Sequence, residues 1–208
     1  FNDIQNYQGW RISGNLINSR NDLIKLLDTT KDQVLHRFIS AMDNPKKIEL
    51  VKDAPFLKNQ IQKPSMIKEI PFTVFNRWMN KFYSSATIIL AKDPDTGRQN
   101  ASIHRLMPIG NTDKIVGRIV PRELREFYSR NKNRGQDTPI VIICGVHPAI
   151  VLAAASSYPD LDELELANNF LQGRLKCVEI NGMKVPQETE VVMAGRILHD
   201  EVEDEGPF

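Results

Sequence analysis

The chain has 208 residues, 41% hydrophobic and 25% charged, a composition that suits one globular domain or a domain with part of another. Lys and Arg number 27 against 26 Asp and Glu, a formal charge of +1, which excludes the basic footprint of a duplex nucleic-acid binder and a polybasic membrane patch. The most apolar stretch, Ile140 to Ala155, is broken by Gly145, His147 and Pro148 and falls short of the roughly 18 apolar residues of a transmembrane helix. The polar opening F-N-D-I-Q-N-Y-Q-G-W lacks the charged start of a signal peptide. Cys144 and Cys177 follow no zinc spacing, so a reduced, cytoplasmic protein without a disulfide framework is expected. A start at Phe1 and a stop at Gly206-Pro207-Phe208 lead us to expect a fragment of a longer protein.

In chain order, Trp10 to Leu16 reads as a strand, and Ser19 or Asn21 caps a helix running to about Leu27. Val34, Leu35, Phe38, Ile39 and Met42 recur at helical spacing, so a second helix is expected over Lys31 to Met42, ended by Asn44-Pro45. Lys46 to Pro64 is lysine-rich, with Pro55 and Pro64 as breakers, and reads as an irregular connector. Ala86 to Ala91 and Asn100 to Met107 flank the turn Lys92-Asp93-Pro94-Asp95-Thr96-Gly97 and form a hairpin. Lys114 to Ile119 is a further strand, and Pro121-Arg122-Glu123 opens a helix that buries Leu124, Phe127 and Tyr128.

The continuous apolar run Ile140 to Cys144 is a buried strand, turned by Gly145-Val146-His147-Pro148 into an Ala-rich helix. Leu161 to Leu171 is a helix with Asp160 or Asp162 near its start. Strand-like stretches close the chain at Lys176 to Ile180, Val185-Pro186 and Glu190 to Ile197. The expected class is α+β: residues 1–65 form part of an N-terminal α/β segment and connector, and residues 66–208 form a strand-rich domain. Taken singly, His36, His147 and His199 gather no supporting constellation, and His147 reads as a turn residue.

Five phrases go further. They are A-K-D-P-D-T-G-R-Q-N-A-S-I-H-R (Ala91 to Arg105), G-V-H-P-A (Gly145 to Ala149), D-E-L-E-L-A (Asp162 to Ala167), V-P-Q-E-T-E-V-V-M-A-G (Val185 to Gly195) and D-E-G-P-F (Asp204 to Phe208). In this order and spacing, across about residues 70–208, the chain resembles the UbiD family of decarboxylases that use prenylated FMN. The resemblance implies a flavin-binding split β-barrel with the family's C-terminal domain lying outside this chain. It also implies a homo-oligomer (dimer or hexamer), a flavin prenyltransferase as cofactor supplier, and a small carboxylic acid as substrate.

Such chemistry needs a cofactor, because decarboxylation leaves an electron pair on carbon that no side chain accepts well. By the resemblance, Asn100, Glu123 and Glu163 hold Mn²⁺ or Mg²⁺, with K⁺ as a further candidate ion; Glu123 stands where a His is usual in the family. Hard oxygen donors suit such cations. Asn100, Ser102, Ile103, His104, Arg105, Arg122, Ser156 and Ser157 are implied to border the flavin. Arg105 and Glu205 match two members of the family's Glu-Arg-Glu network, Arg105 holding the substrate carboxylate and Glu205 delivering the proton after CO₂ leaves. The second acid of that network has no position in this chain. The implied substrate is an aromatic or α,β-unsaturated acid of quinone or isoprenoid synthesis. The alternatives are an anhydromevalonate phosphate decarboxylase of archaeal type, or a flavin-binding module without activity of its own.

One geometric requirement follows. Asn100, Ser102 and His104 share one face of a regular strand and Arg105 lies on the other, so the strand must bulge between Ala101 and Arg105 or the cofactor must wrap its end.

Overall fold

The computed structural model describes residues 1–62, 69–74, 78, 81–156, 158 and 160–206. It is built around a five-stranded antiparallel sheet in the order β4-β3-β2-β5-β8, formed by Ser84–Lys92 (β2), Gln99–Pro108 (β3), Ile115–Val116 (β4), Thr138–Cys144 (β5) and Val191–Ile197 (β8). This sheet curls into a half-barrel, the α+β class expected. A smaller sheet joins Glu49–Leu50 (β1), Lys176–Ile180 (β6) and Met183–Pro186 (β7), with β1 parallel to β6.

The central strands are buried on both faces, which explains their unbroken apolar runs. Ile88 and Leu90 of β2, with Val141 and Ile143 of β5, enter one apolar cluster. Their neighbours Ile89 and Ala91, with Ile140 and Ile142, enter a second. The first cluster is covered by Pro148–Ala154 (α4) and Glu163–Phe170 (α5), the second by Glu123–Asn133 (α3). Arg20–Leu26 (α1) and Val34–Asp43 (α2) pack against the first cluster through Leu23, Leu26 and Phe38. Arg37 of α2 also donates to the Asn169 side chain (2.7 Å) and carbonyl (3.0 Å) at the end of α5. No helix among the described residues is long and apolar enough to cross a membrane.

The hairpin turn is set locally. Asp93 accepts from the Asp95 amide (3.0 Å) and the Thr96 hydroxyl (3.1 Å), while Gly97 takes φ +72°. That turn fixes the pairing of Ala91 with Asn100 and Thr87 with His104.

Several expectations need correction. Residues 10–16 form no strand: Arg11, Gly14, Asn15 and Leu16 are exposed, and although Ile12 exchanges backbone hydrogen bonds with Phe1, no strand among the described residues pairs with the stretch. The stretch expected as a strand over residues 114–119 pairs only at Ile115–Val116 before Pro121 and the α3 start redirect it. Residues 46–64 are not wholly irregular, since β1 and a 3₁₀ turn at Pro55–Lys58 lie within them. The bulge also sits elsewhere. β3 pairs one-to-one from Gln99 through His104, and the extra residue lies in β2 between Ser84 and Thr87.

Candidate active site

The regular pairing of β3 sends Asn100, Ser102 and His104 toward the α3 face and Ala101, Ile103 and Arg105 toward the other. One strand therefore serves two groups of side chains. What reconciles them is an open edge. β4 pairs with β3 only at Met107 and Pro108, so among the described residues no strand covers the β3 edge from Asn100 to Arg105. The Ala101 amide points out of that edge and donates to Glu163 Oε2 at 2.8 Å. A ligand lying along the edge meets side chains from both faces.

At one end of the edge, three oxygen-bearing side chains converge. Glu163 is the first residue of α5, fixed there because the Asp162 carboxylate caps the helix by accepting from the Leu164 (3.0 Å) and Glu165 (3.2 Å) amides. Asn100 Nδ2 donates to Glu163 Oε1 at 3.2 Å and to Glu123 Oε2 at 3.0 Å. Glu123 opens α3 and also pairs with Arg98 through its other oxygen. Glu163 is 3% exposed, and burial pushes its carboxyl up to about 7; the Ala101 amide opposes this, and the nearby Glu123 and Asp162 add to it.

These residues fit a hard divalent cation. Turning the Asn100 amide by half a turn presents Oδ1 beside the two carboxylates, giving an all-oxygen donor set. The same turn lets Nδ2 donate to Ser102 Oγ, which lies 3.1 Å from the amide oxygen and 2.9 Å from His104 Nε2. The Ser102 proton then goes to His104 Nε2, and His104 Nδ1 faces the Arg118 carbonyl at 3.4 Å, so every group in the chain finds a partner. Burial holds the His104 ring below its ordinary range, with the Arg118 carbonyl opposing, which favours the neutral ring this chain requires.

At the other end, Arg105 Nε donates to Glu205 Oε1 at 2.6 Å and Nη2 to Oε2 at 3.2 Å. The Arg105 side chain is 38% exposed and that of Glu205 only 10%. The hydrogen bond to Glu205 pushes the Arg105 guanidinium further up. Tyr83, fully buried, feels both charges: burial pushes its phenol up, Glu205 adds to this and Arg105 opposes it. Five residue steps along the strand separate Asn100 from Arg105, roughly 17 Å of rise.

The remaining sequence-derived positions are dispersed. Ile103 is exposed on the Arg105 side of β3. Arg122 is exposed at the α3 N-cap and gives no side-chain cap. Ser156 follows α4 and donates to the Ala153 carbonyl at 2.6 Å. Ser157 lies outside the described residues. His147 caps α4 by accepting from the Ala149 amide at 3.2 Å. Two groupings were not legible in the sequence. Arg98 joins Glu123, and His199 Nδ1 meets Asp137 at 2.7 Å beside Asp200, with Arg196 also on Asp137 at 2.9 Å. Strand alternation places Arg98 two residues before Asn100, a signal that could have found the first; the second joins residues 62 apart and has no local signature.

The half-barrel, with the Asn100–Glu123–Glu163 oxygen cluster and the Arg105–Glu205 pair along one open strand edge, matches the fold of flavin-binding domains of UbiD-class enzymes. Residues 49–208 match the family described as UbiD, the 3-octaprenyl-4-hydroxybenzoate carboxy-lyase Rift-related domain, and the chain belongs to that family. Over 200 residues it is 40% identical to the anhydromevalonate phosphate decarboxylase of Methanothermobacter thermautotrophicus, covering 95% of this chain and 46% of that protein. It is 30% identical over 223 residues to the phenolic acid decarboxylase of Bacillus subtilis, covering 100% of this chain and 47% of that protein. Among solved structures, it is similar to an evolved dimeric form of the UbiD-class enzyme HmfF from Pelotomaculum thermopropionicum in complex with prFMN. There the TM-score is 0.86 at 32% identity, with 93% of this chain and 46% of that chain covered. The chain spans about half the length of the curated relatives it matches.

Proposed function

We propose that this chain is the flavin-binding part of a non-oxidative decarboxylase whose substrate is anhydromevalonate phosphate or a close phosphorylated α,β-unsaturated acid, in isoprenoid synthesis. The single observation that carries the reading is the shared edge of β3, with the Asn100–Glu123–Glu163 cluster at one end and Arg105–Glu205 at the other. The substrate is favoured over a hydroxybenzoate by the 40% identity to a protein of the former activity.

Prenylated FMN, when bound, supplies the electron sink for the carbon that loses CO₂. Asn100, Glu123 and Glu163 would hold Mn²⁺ or Mg²⁺, which would supply positive charge to offset that of the flavin phosphate. Ser102 and His104 form a neutral, hydrogen-bonded wall, and Ile103 covers the opposite side of the strand. Arg105 orients the substrate carboxylate and keeps the nearly buried Glu205 in place. Glu205, reprotonated between turnovers, hands its proton to the carbon left by CO₂. We place the enzyme in the cytoplasm as a homo-oligomer, supplied with cofactor by a flavin prenyltransferase.

The test is CO₂ release by the whole protein produced together with a flavin prenyltransferase, offered anhydromevalonate phosphate and 4-hydroxybenzoate in parallel. Turnover of the phosphorylated acid is expected. Turnover of the hydroxybenzoate alone overturns the substrate assignment, and flavin binding without CO₂ release from either favours a module without activity of its own.

A further inference from the structure

Residues 199–206 carry Glu205 to Arg105 without forming a strand or helix, and among the described residues no backbone–backbone hydrogen bond ties them to the rest of the chain. Asp200, Glu201, Val202, Glu203 and Asp204 are all exposed. Side chains therefore decide where this stretch lies, and strand register makes the demand on them specific. Ile197, the last residue of β8, pairs with Thr138, beyond the Ala91–Ile140 pair and so at the end of the sheet that holds the β2–β3 turn. Arg105 follows the Thr87–His104 pair, toward the opposite end. The chain leaving β8 has to turn back before it can bring Glu205 to Arg105.

The turn is made at His199, which is held at three atoms. The Asp137 carboxylate, one residue before β5, accepts through Oδ1 from the His199 amide at 3.0 Å and from His199 Nδ1 at 2.7 Å. Its Oδ2 takes Arg196 Nε at 2.9 Å, and the Tyr128 hydroxyl of α3 donates to the His199 carbonyl at 3.4 Å. Asp200 Oδ1 lies 4.0 Å from Nδ1, beyond hydrogen-bond reach, so Asp137 is the carboxylate that fixes the ring. The His199 ring, and then its amide, hold the Asp137 carboxyl below its ordinary range, with burial opposing and the Arg196 charge adding. An ionised carboxylate only accepts, which makes Nδ1 the donor. Further along, Lys114 and Glu201 are each about half exposed, and a pair of that kind contributes little. Six residue steps lead from His199 to Glu205, a reach of at most about 22 Å. Over so short a tether, the direction set at His199 carries through to Glu205.

We propose that Asp137 is a positioning residue of the decarboxylase: by gripping His199 at the turn, it aims residues 200–205 so that Glu205 meets Arg105 in the geometry that proton delivery needs. The inference rests on the roles proposed above for Arg105 and Glu205, and extends them to a residue on a different element of the fold.

The experiment compares the whole protein as wild type, Asp137→Ala, Asp137→Asn and His199→Ala, each produced together with a flavin prenyltransferase. CO₂ release is followed with whichever of anhydromevalonate phosphate and 4-hydroxybenzoate the wild type turns over. A misplacement of about 1 Å at a reacting group costs up to about 100-fold. In Asp137→Ala, kcat is therefore expected to fall about 10-fold, with KM held within about two-fold and bound flavin at the wild-type level. Asp137→Asn, whose Oδ1 still accepts both His199 bonds, should recover kcat to within about three-fold of wild type. His199→Ala, altered outside the strands and helices, should lose about three-fold and keeps the test open if Asp137→Ala does not fold. Urea denaturation reads the same link without turnover: the midpoint shift produced by Glu205→Gln should be smaller in the Asp137→Ala or His199→Ala background than in wild type. Wild-type kcat in both alanine variants, or equal midpoint shifts in all backgrounds, overturns the proposal and leaves the decarboxylase reading intact. Loss of flavin in step with kcat, without rescue by Asp137→Asn, overturns it as well, since Asp137 then acts on the fold. A wild type that turns over neither acid overturns the decarboxylase reading and this proposal with it.

Discussion

Arg105 and Glu205, 100 residues apart in the chain, meet in a two-point ion pair, Nε to Oε1 at 2.6 Å and Nη2 to Oε2 at 3.2 Å. Geometry of this kind holds both partners in one plane and draws the C-terminal stretch over the outer half of β3. Lys114, after β3, pairs with Glu201 and fastens the same stretch a second time. Glu205 thus reaches the strand edge from a segment that forms no strand or helix of its own.

The first prediction concerns this pair. Arg105→Ala leaves Glu205 nearly buried without its counterion and, on the proposed function, removes the group that orients the substrate. CO₂ release by the whole enzyme should fall at least about 100-fold, two powers of ten or roughly 2.7 kcal/mol of transition-state stabilisation. Flavin retention, read from the absorbance of the purified protein, should stay near the wild-type level. Undiminished turnover in this variant removes Arg105 from the mechanism.

Glu163 offers a second test, because its carboxylate is held by the Ala101 amide and faces Asn100. Glu163→Gln keeps the size and the hydrogen bond but loses the charge a cation needs. Mn²⁺ affinity, measured by electron paramagnetic resonance of the free ion, should drop about 10-fold or more. Equal Mn²⁺ affinity in both proteins contradicts the ligand role.

The N-cap beneath it gives a third. Asp162→Ala should cost about 1 kcal/mol of stability by freeing the Leu164 and Glu165 amides, and Asp162→Asn should restore most of it. Urea denaturation of the three proteins decides the point: equal midpoints for Asp162→Ala and wild type show that the cap contributes nothing. The Asp162 carboxylate also receives Lys184 Nζ at 3.0 Å, so Asn recovers the cap without this ion pair.

The hairpin turn supplies a pH prediction. Burial raises the Asp93 carboxyl, but the Arg130 hydrogen bond, the Asp95 amide and the Thr96 hydroxyl outweigh it and hold the group down at about 2. The folded protein therefore binds fewer protons than the unfolded chain between about pH 4 and pH 2. This contribution is present in full above the ordinary value of 3.8 and is lost as pH falls toward 2. Discounted for the half-exposed Arg130, it amounts to about 1–2 kcal/mol. In urea titrations, the stability gap between wild type and Arg130→Met should be constant above about pH 5 and narrow toward pH 3. A gap independent of pH refutes the assignment.

Much of the fold is legible locally. The hairpin follows from Asp93-Pro94-Asp95-Thr96-Gly97, and β5 from an apolar run whose two faces enter two different clusters. The site residues Asn100, Glu123, Glu163, Arg105 and Glu205 come to notice through the family phrases rather than through periodicity. Position along β3 alone would have separated Asn100 from Arg105. Three features escape sequence reasoning. The bulge falls in β2, where Ser85 and Ala86 carry no bulge signal. The open edge of β3 depends on where β4 stops pairing, which is set by its partner and not by its own residues. The parallel pairing of Glu49 and Leu50 with Lys176 and Cys177 is too short and too distant in sequence to leave a pattern. The opposite error occurs at residues 10–16, where alternation without a partner strand makes no sheet.

The most direct test of a single site along β3 is the ³¹P spectrum of FMN bound to the whole protein, recorded with Mg²⁺ and then with Mn²⁺. If Asn100, Glu123 and Glu163 hold the cation against the flavin phosphate, the signal is sharp with Mg²⁺, is broadened beyond detection by paramagnetic Mn²⁺, and returns in Glu163→Gln. A bound-FMN signal that Mn²⁺ leaves sharp, or that broadens equally in wild type and variant, contradicts the account.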